Sequence, residues 1–263
     1  MGDDDGFTKV ERKFRYMTVD PTKKQRKKKH AFVDPDDYTL ADLEELLNQR
    51  RQVLFDSRFY TDLEKLNQQH LPSFGCKEII CYGIGSMQHS KNAQFQFILA
   101  LELADLLNLK GKMSIFDPVM TALDKQLCEK YQVHVIEEDE KGKRTVNQPT
   151  LFYMPHCSRN LYSNTISANW KPTSLTNLYI IGNRFDMYVG SQLERDLLRE
   201  CPYLIPANTI VQTVSFPKKF DDDKVFNDLA IQWFPSDVVP QGENDPFWSS
   251  VTPQADPEAP IVS

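Results

Sequence analysis

The residues best suited to acid–base or nucleophilic chemistry are His156 and Cys157, side by side after an apolar run. A thiol at a helix N-terminus can have its pKa lowered and become a nucleophile or a redox sensor. Adjacency argues against a dyad, because neighbours on an extended strand point to opposite faces. A buried Cys157 beside a hydrogen-bonded His156 is what the usual burial of cysteine favours. Asp117 ends another apolar run, where many α/β folds hold a ribose hydroxyl. It lies 34 positions beyond Gly83, against about 20 in the usual dinucleotide fingerprint. Pro118 offers a structural alternative, a stopped strand with Asp117 capping the next helix.

Gly83-Ile84-Gly85-Ser86 closes a third apolar run. Two glycines allow a tight turn and a close backbone approach, leaving Ser86, Ser90 and nearby amides to cradle a phosphate or carboxylate. The third glycine of a full fingerprint is missing, so a turn that needs positive φ explains the pair as well. Asn160, Tyr162, Asn164, Asn169 and Trp170 form a polar and aromatic block suited to a cleft wall, although asparagine equally serves caps and loops. No Cys-x-x-Cys or His-x-x-x-His spacing supports a metal site, and His30, His70, His89 and His134 are scattered.

Short apolar runs separated by helical stretches must position these residues. Strands are expected at Ile79–Gly83, Met113–Phe116, Val133–Ile136, Thr150–Met154, Leu178–Ile181 and Ile210–Phe216. Helices are expected near Ala93–Leu107, Val119–Tyr131, Arg159–Ala168 and Ser191–Glu200. Continuous apolar strands alternating with helices demand a mostly parallel sheet covered on both faces. The fold class is therefore α/β, a Rossmann-like doubly wound sheet, with the first strand central and the helices on alternating faces. Ligands of such sheets bind beyond the carboxyl ends of the strands. Gly83, Gly85, Ser86, Asp117, His156, Asn164 and Asn183 are the candidate ligand residues there.

Residues 39–72 read as a helical lead-in, with Thr39 and Asp42 opening one helix, Thr61 and Glu64 a second, and Pro72 with Gly75 closing the region. The main domain is assigned to residues 73–234. Residues 235–263 are proline-rich and aperiodic, and read as a disordered tail that carries the short peptide Asp245-Pro246-Phe247-Trp248. Residues 1–38 read as a mostly disordered basic arm. Its first thirty residues hold ten basic and five acidic side chains, and the run Lys23–Lys29 could serve nuclear import.

The 263-residue chain is 40% hydrophobic and 26% charged, a globular composition, and its net charge of −6 gives no global bias toward nucleic acid or anionic lipid. No apolar stretch approaches the roughly 20 residues needed to span a bilayer, so no membrane partner is expected. Nucleic acid is expected only as a weak partner of the basic arm. An odd number of cysteines, five and widely spaced, argues against a disulfide framework and for a reducing compartment.

Five ordered blocks resemble the sensitivity-to-red-light-reduced (SRR-like) family over about Ile79 to Phe185. They are Cys81–Ser86, Ile115–Val119, Leu151–Cys157, Leu161–Asn164 with Asn169-Trp170, and Ile180–Asn183. Ser158-Arg159 stands where relatives often carry Gly-Lys, and Arg184 where a small residue is common. The resemblance implies a cytoplasmic regulator, with the nucleus as a further location. Its family is linked in plants and animals to circadian input and gene expression, in animals also to haem metabolism, and in fungi to microtubule-related phenotypes. It implies no settled catalytic activity.

Three functions remain open on these grounds. The first is a regulator binding a nucleotide-like or phosphorylated small ligand at the strand ends, its cofactor unassigned. The second is a group-transfer or hydrolytic enzyme with His156 as general acid or base and Asp117 orienting substrate. The third is a scaffold that recruits protein partners through its tails.

Overall fold

The computed structural model describes residues 34–220 and 224–251. The basic arm through Val33 and residues 252–263 lie outside the described residues.

Helix α1 (Leu40–Phe55) starts at Thr39 in a reciprocal box: Thr39 Oγ1 accepts from the Asp42 N–H, and the Asp42 carboxylate accepts from the Thr39 N–H at 2.9 Å. Helix α2 (Arg58–Phe74) differs from expectation at its start. Ser57, not Thr61, is the cap, its hydroxyl accepting from the Tyr60 N–H. Pro72 lies inside the last turn, and Gly75 ends the helix in the left-handed region at φ 62°.

Seven strands make one sheet: β1 (Glu78–Tyr82), β2 (Met113–Phe116), β3 (Val133–Val135), β4 (Thr150–Met154), β5 (Leu178–Asn183), β6 (Gln212–Ser215) and β7 (Leu229–Trp233). Their order is β3-β2-β1-β4-β5-β7-β6. β3 to β5 are parallel, whereas β7 runs antiparallel to both β5 and β6. Within the parallel part β1 is central, as its apolar run suggested. β7 was not anticipated, and Ile210 ends a helix instead of opening the sixth strand.

The remaining helices are α3 (Lys91–Leu106), α4 (Ala122–Lys130), α5 (Arg159–Ala168), α6 (Pro172–Leu175), α7 (Phe185–Ser191), α8 (Glu194–Glu200) and α9 (Leu204–Ile210). Successive β1 side chains feed different cores. Ile79 and Cys81 pack with α1 to α4, and Ile80 with α5, α6 and α9. Strict alternation of helices is thus replaced by a single change of face. α3 and α4 share one side, α5 takes the other, and the change falls between β1 and β4, where open α/β sheets leave a crevice. No helix covers the crossover from β3 to β4; residues 136–149 cross as a strap laid on α5.

The reading of 235–263 as a disordered tail fails for its first part. Val239 is buried, and Phe247 stacks on Trp170 with ring centroids 5.0 Å apart. Trp248 meets the same indole edge-on at 5.3 Å, and Trp170 Nε1–H donates to the Trp248 carbonyl at 3.3 Å. Aromatic packing against the domain compensates the ordering entropy of a segment that lacks periodicity.

Candidate functional site

Gly83 and Gly85 hold φ of +72° and +87° at the end of β1. A Cβ on Gly83 would fall 2.4 Å from Cys157 Sγ, so glycine is required there by close approach as well as by φ. Cys157 donates its S–H to the Tyr82 carbonyl at 3.3 Å. Burial, reinforced by the Asp117 charge, pushes its thiol well above the ordinary range, so it stays protonated. That chemistry suits packing and not nucleophilic attack.

The Asp117 carboxylate ties two loops together: Oδ2 accepts from the Gly85 N–H at 2.8 Å and Oδ1 from the Val119 N–H at 3.0 Å. The helix cap expected of Asp117 is supplied by Thr121, which forms a capping box with Asp124. Ser86 is buried, and its Oγ has no hydrogen-bond partner among the described residues.

At the ends of β4 and β5 a tyrosine occupies the space. Tyr162 donates its hydroxyl to the Met154 carbonyl and accepts from the Asn183 N–H at 2.8 Å. Gly182 makes room for it, since a Cβ there would come within 2.7 Å of the ring. Asn183 Oδ1 accepts from the His156 N–H at 2.9 Å, fixing His156 at φ 54°. His156 Nε2 lies 3.0 Å from the Val225 carbonyl, on the connection before β7. His156 therefore faces β7 while Asp117 faces the β1 loop. Among the described residues they share no hydrogen bond.

The asparagine block serves the strap. Asn169 is fully buried; its Oδ1 accepts from the Val146 N–H at 2.8 Å, and its Nδ2 donates to the carbonyls of Arg144 and Thr165 at 2.9 and 2.8 Å. Asn164 Nδ2 donates to the Lys141 carbonyl at 2.8 Å. Loop chemistry accounts for Asn169, Tyr162 and Trp170, whereas Asn160 and Asn164 also border open space.

That space is a cavity of about 290 Å³ at the switch point between β1 and β4. Gly83, Phe116, Pro118, Lys141, Ser158, Asn160 and Asn164 are among the residues lining it. On the strap side Tyr82 donates its hydroxyl to Glu140, which Arg144 grips with Nη2 at 2.6 Å and Nε at 2.9 Å. A second cavity of about 550 Å³ adjoins it across Ser158 and Asn160, bordered by Asn183 and α7. Of the expected ligand residues, Gly83 and Asn164 line the first cavity and Asn183 the second; Gly85, Ser86, Asp117 and His156 line neither. Sequence reasoning missed Phe116 and Lys141. Phe116 is the last residue of a strand, a usable signal, but nothing in the charged loop singles out Lys141. Among the described residues no three His, Cys, Asp or Glu side chains gather as a metal set, and no helix is long and apolar enough to cross a membrane.

A methyltransferase of Podospora anserina, solved with SAH bound, is similar in structure at a TM-score of 0.41 and 12% identity, covering 73% of this chain and 87% of that one. Protein SENSITIVITY TO RED LIGHT REDUCED 1 of Arabidopsis thaliana is 29% identical over 164 residues, 61% of this chain and 60% of its own length. An SRR1-like protein of Drosophila melanogaster is 26% identical over 182 residues, 67% of this chain and 62% of that protein. An SRR1-like protein of Mus musculus is 33% identical over 127 residues, 48% and 51% of the two lengths. The matched part thus spans between about half and three-fifths of these curated relatives. The SRR1 domain model matches residues 61–233, which include β1 to β7 and every block quoted above. This chain belongs to the SRR1 domain family.

Proposed function

We propose that this chain is a regulatory protein that responds to a small nucleotide-like or phosphorylated ligand held in the crevice beyond β1 and β4. The observation that carries the reading is the cavity itself, which opens where the helices change face and where sheets of this kind take ligands. Phe116 and Pro118 offer a flat apolar surface for a heterocycle, and Ser158 and Asn164 set hydrogen-bonding groups around it. The Arabidopsis relative is named for sensitivity to red light. Light or clock input is the regulatory setting we carry from it, in the cytoplasm with the nucleus as a further location. Turnover by His156 and Asp117 has less support, because both are engaged with backbone groups and face different loops.

The test is thermal unfolding of the full chain against nucleotides, S-adenosylmethionine, haem, sugar phosphates and inositol phosphates, repeated in Pro118→Trp, which fills the mouth of the crevice. A ligand at a hundred times its Kd adds about 2.7 kcal/mol and raises Tm. A shift abolished in Pro118→Trp supports the reading. No shift across the panel, or a shift that survives the variant, overturns it.

A further inference from the structure

We infer that the crevice is one compartment of a two-compartment site built for a bipartite ligand: two ring-bearing ends joined by an acceptor-rich linker, as in a pyrophosphate-linked dinucleotide. This rests on the ligand reading above and extends it. The cavities of about 290 and 550 Å³ lie on either side of one ridge, and Ser158 and Asn160 line both. Each compartment has an apolar wall suited to a ring, Phe116 and Pro118 in the first, Tyr188 and the partly exposed Met187 in the second.

The ridge between them is rich in donors. Ser158 Oγ accepts from the Leu161 N–H at 3.4 Å, which leaves its own O–H to donate. Asn160 uses its Oδ1 to accept from Cys201 Sγ at 3.0 Å, and its amide N–H groups have no protein acceptor among the described residues. Arg159 is engaged by Gln192 at 3.1 Å and by Glu200, whose carboxylate lines the second compartment and is shared with Arg199, so the donors left for a linker are the Ser158 O–H and the Asn160 amide. Donors at the middle and apolar walls at the ends call for an acceptor linker with rings on both sides. The smaller cavity alone is at the lower limit of ligand pockets, about 300 Å³, and suits one half of such a molecule.

Calorimetry on the full chain with AMP, NAD⁺, FAD and diadenosine diphosphate tests this. At least one dinucleotide should bind 100-fold or more tighter than AMP, because the second contact is made within an already bound molecule. Met187→Trp, which fills only the second compartment, should bring that dinucleotide back to the affinity of AMP and leave AMP unchanged. Ser191→Trp serves the same purpose if Met187→Trp does not fold. Pro118→Trp should abolish binding of both. A dinucleotide no tighter than AMP, or one insensitive to filling the second compartment, overturns the bipartite site while the single-crevice reading stands. No binding by AMP or any of the dinucleotides also overturns the bipartite site, whereas the single-crevice reading falls if the whole thermal-unfolding panel gives no shift.

Discussion

Helices α3 and α5 lie on opposite faces of one sheet and cover it by different means. α3 buries eleven residues, among them Phe95, Phe97, Ile98 and Leu99, because its outer side is itself covered. Phe95 meets Phe220 edge-on at 5.0 Å, and Gln96 Nε2 donates to the Val225 carbonyl at 3.1 Å. α5 buries only Tyr162, Ser163, Thr165 and Ile166, and Asn164 and the C-cap Asn169 are turned toward the strap. The neighbours differ in what they need. A packed helix satisfies its own backbone, whereas an irregular strap brings N–H and C=O groups that must find partners elsewhere. A polar block on a core-facing helix therefore marks a neighbour without secondary structure, and a ligand wall only where a cavity is also present.

The sharpest way to break this contrast is to remove one amide from each face. Asn169→Ala strips partners from the Val146 N–H and the carbonyls of Arg144 and Thr165, with orphaned buried groups costing roughly 1–3 kcal/mol each. A loss of about 3 kcal/mol in urea unfolding is expected. Gln96→Ala on the α3 face removes one of two groups beside the Val225 carbonyl, His156 Nε2 being the other, and should cost about 1 kcal/mol or less. Equal losses would mean that the strap does not depend on α5.

A second contrast concerns the glycines at the ends of β1 and β5, which yield to different neighbours. Gly83→Ala must place a Cβ against Cys157 Sγ at positive φ, and a destabilisation of about 2–3 kcal/mol is expected. In a Cys157→Ala background the clash disappears and only the backbone strain remains, about 1 kcal/mol. Denaturant unfolding of the double-mutant cycle reads the difference. Additive effects would show that Gly83 is there for φ alone.

Much of the framework was legible because burial on both sides writes itself as continuous apolar runs, as in Ile79–Cys81 and Leu151–Met154. Arg159–Ala168 carries its own cap and was bounded correctly. β7 was not legible: Gln232, fully buried, interrupts its pattern, for its side chain accepts from the Phe185 N–H and donates to the Asn183 carbonyl. Residues 235–251 failed for a related reason, since Phe247 and Trp248 pack on a distant Trp170 without any local period. The candidate site was legible only as strand ends. Gly83, Asp117 and Asn183 were named as ligand residues, and what the structure shows of them is mutual packing and backbone bonding. The cavity walls come from Phe116, Lys141 and Asn160, whose convergence is a product of topology.

A smaller effect separates constraint from ligand chemistry at Asp117. Asp117→Asn keeps one oxygen for the Gly85 N–H but loses the second acceptor for Val119, so a cost of about 1 kcal/mol is expected in urea unfolding. In the ligand panel Asp117→Asn should retain binding, because Asp117 does not line either compartment. A ligand shift lost in this folded variant would return Asp117 to the site.

The smallest effect lies on the strap side, where Glu140 joins Tyr82 and Arg144. Burial pushes the Glu140 carboxyl up, but the Arg144 hydrogen bonds, the Tyr82 hydroxyl and the Arg144 charge together outweigh burial and hold it below its ordinary value of 4.5. A carboxylate depressed in the folded state contributes stability that is complete above its unfolded value and is lost as pH falls through the folded one. Partial exposure keeps that contribution under about 1 kcal/mol. Glu140→Gln should therefore be less stable than the parent at pH 7, and the gap should close as the pH is lowered from about 4.5 toward 3. Urea unfolding at pH 7, 5, 4 and 3 measures the gap directly. A gap that stays constant would mean the carboxylate acts only as a neutral acceptor for Tyr82, and that the strap is held to the α5 face by its asparagines and not by charge.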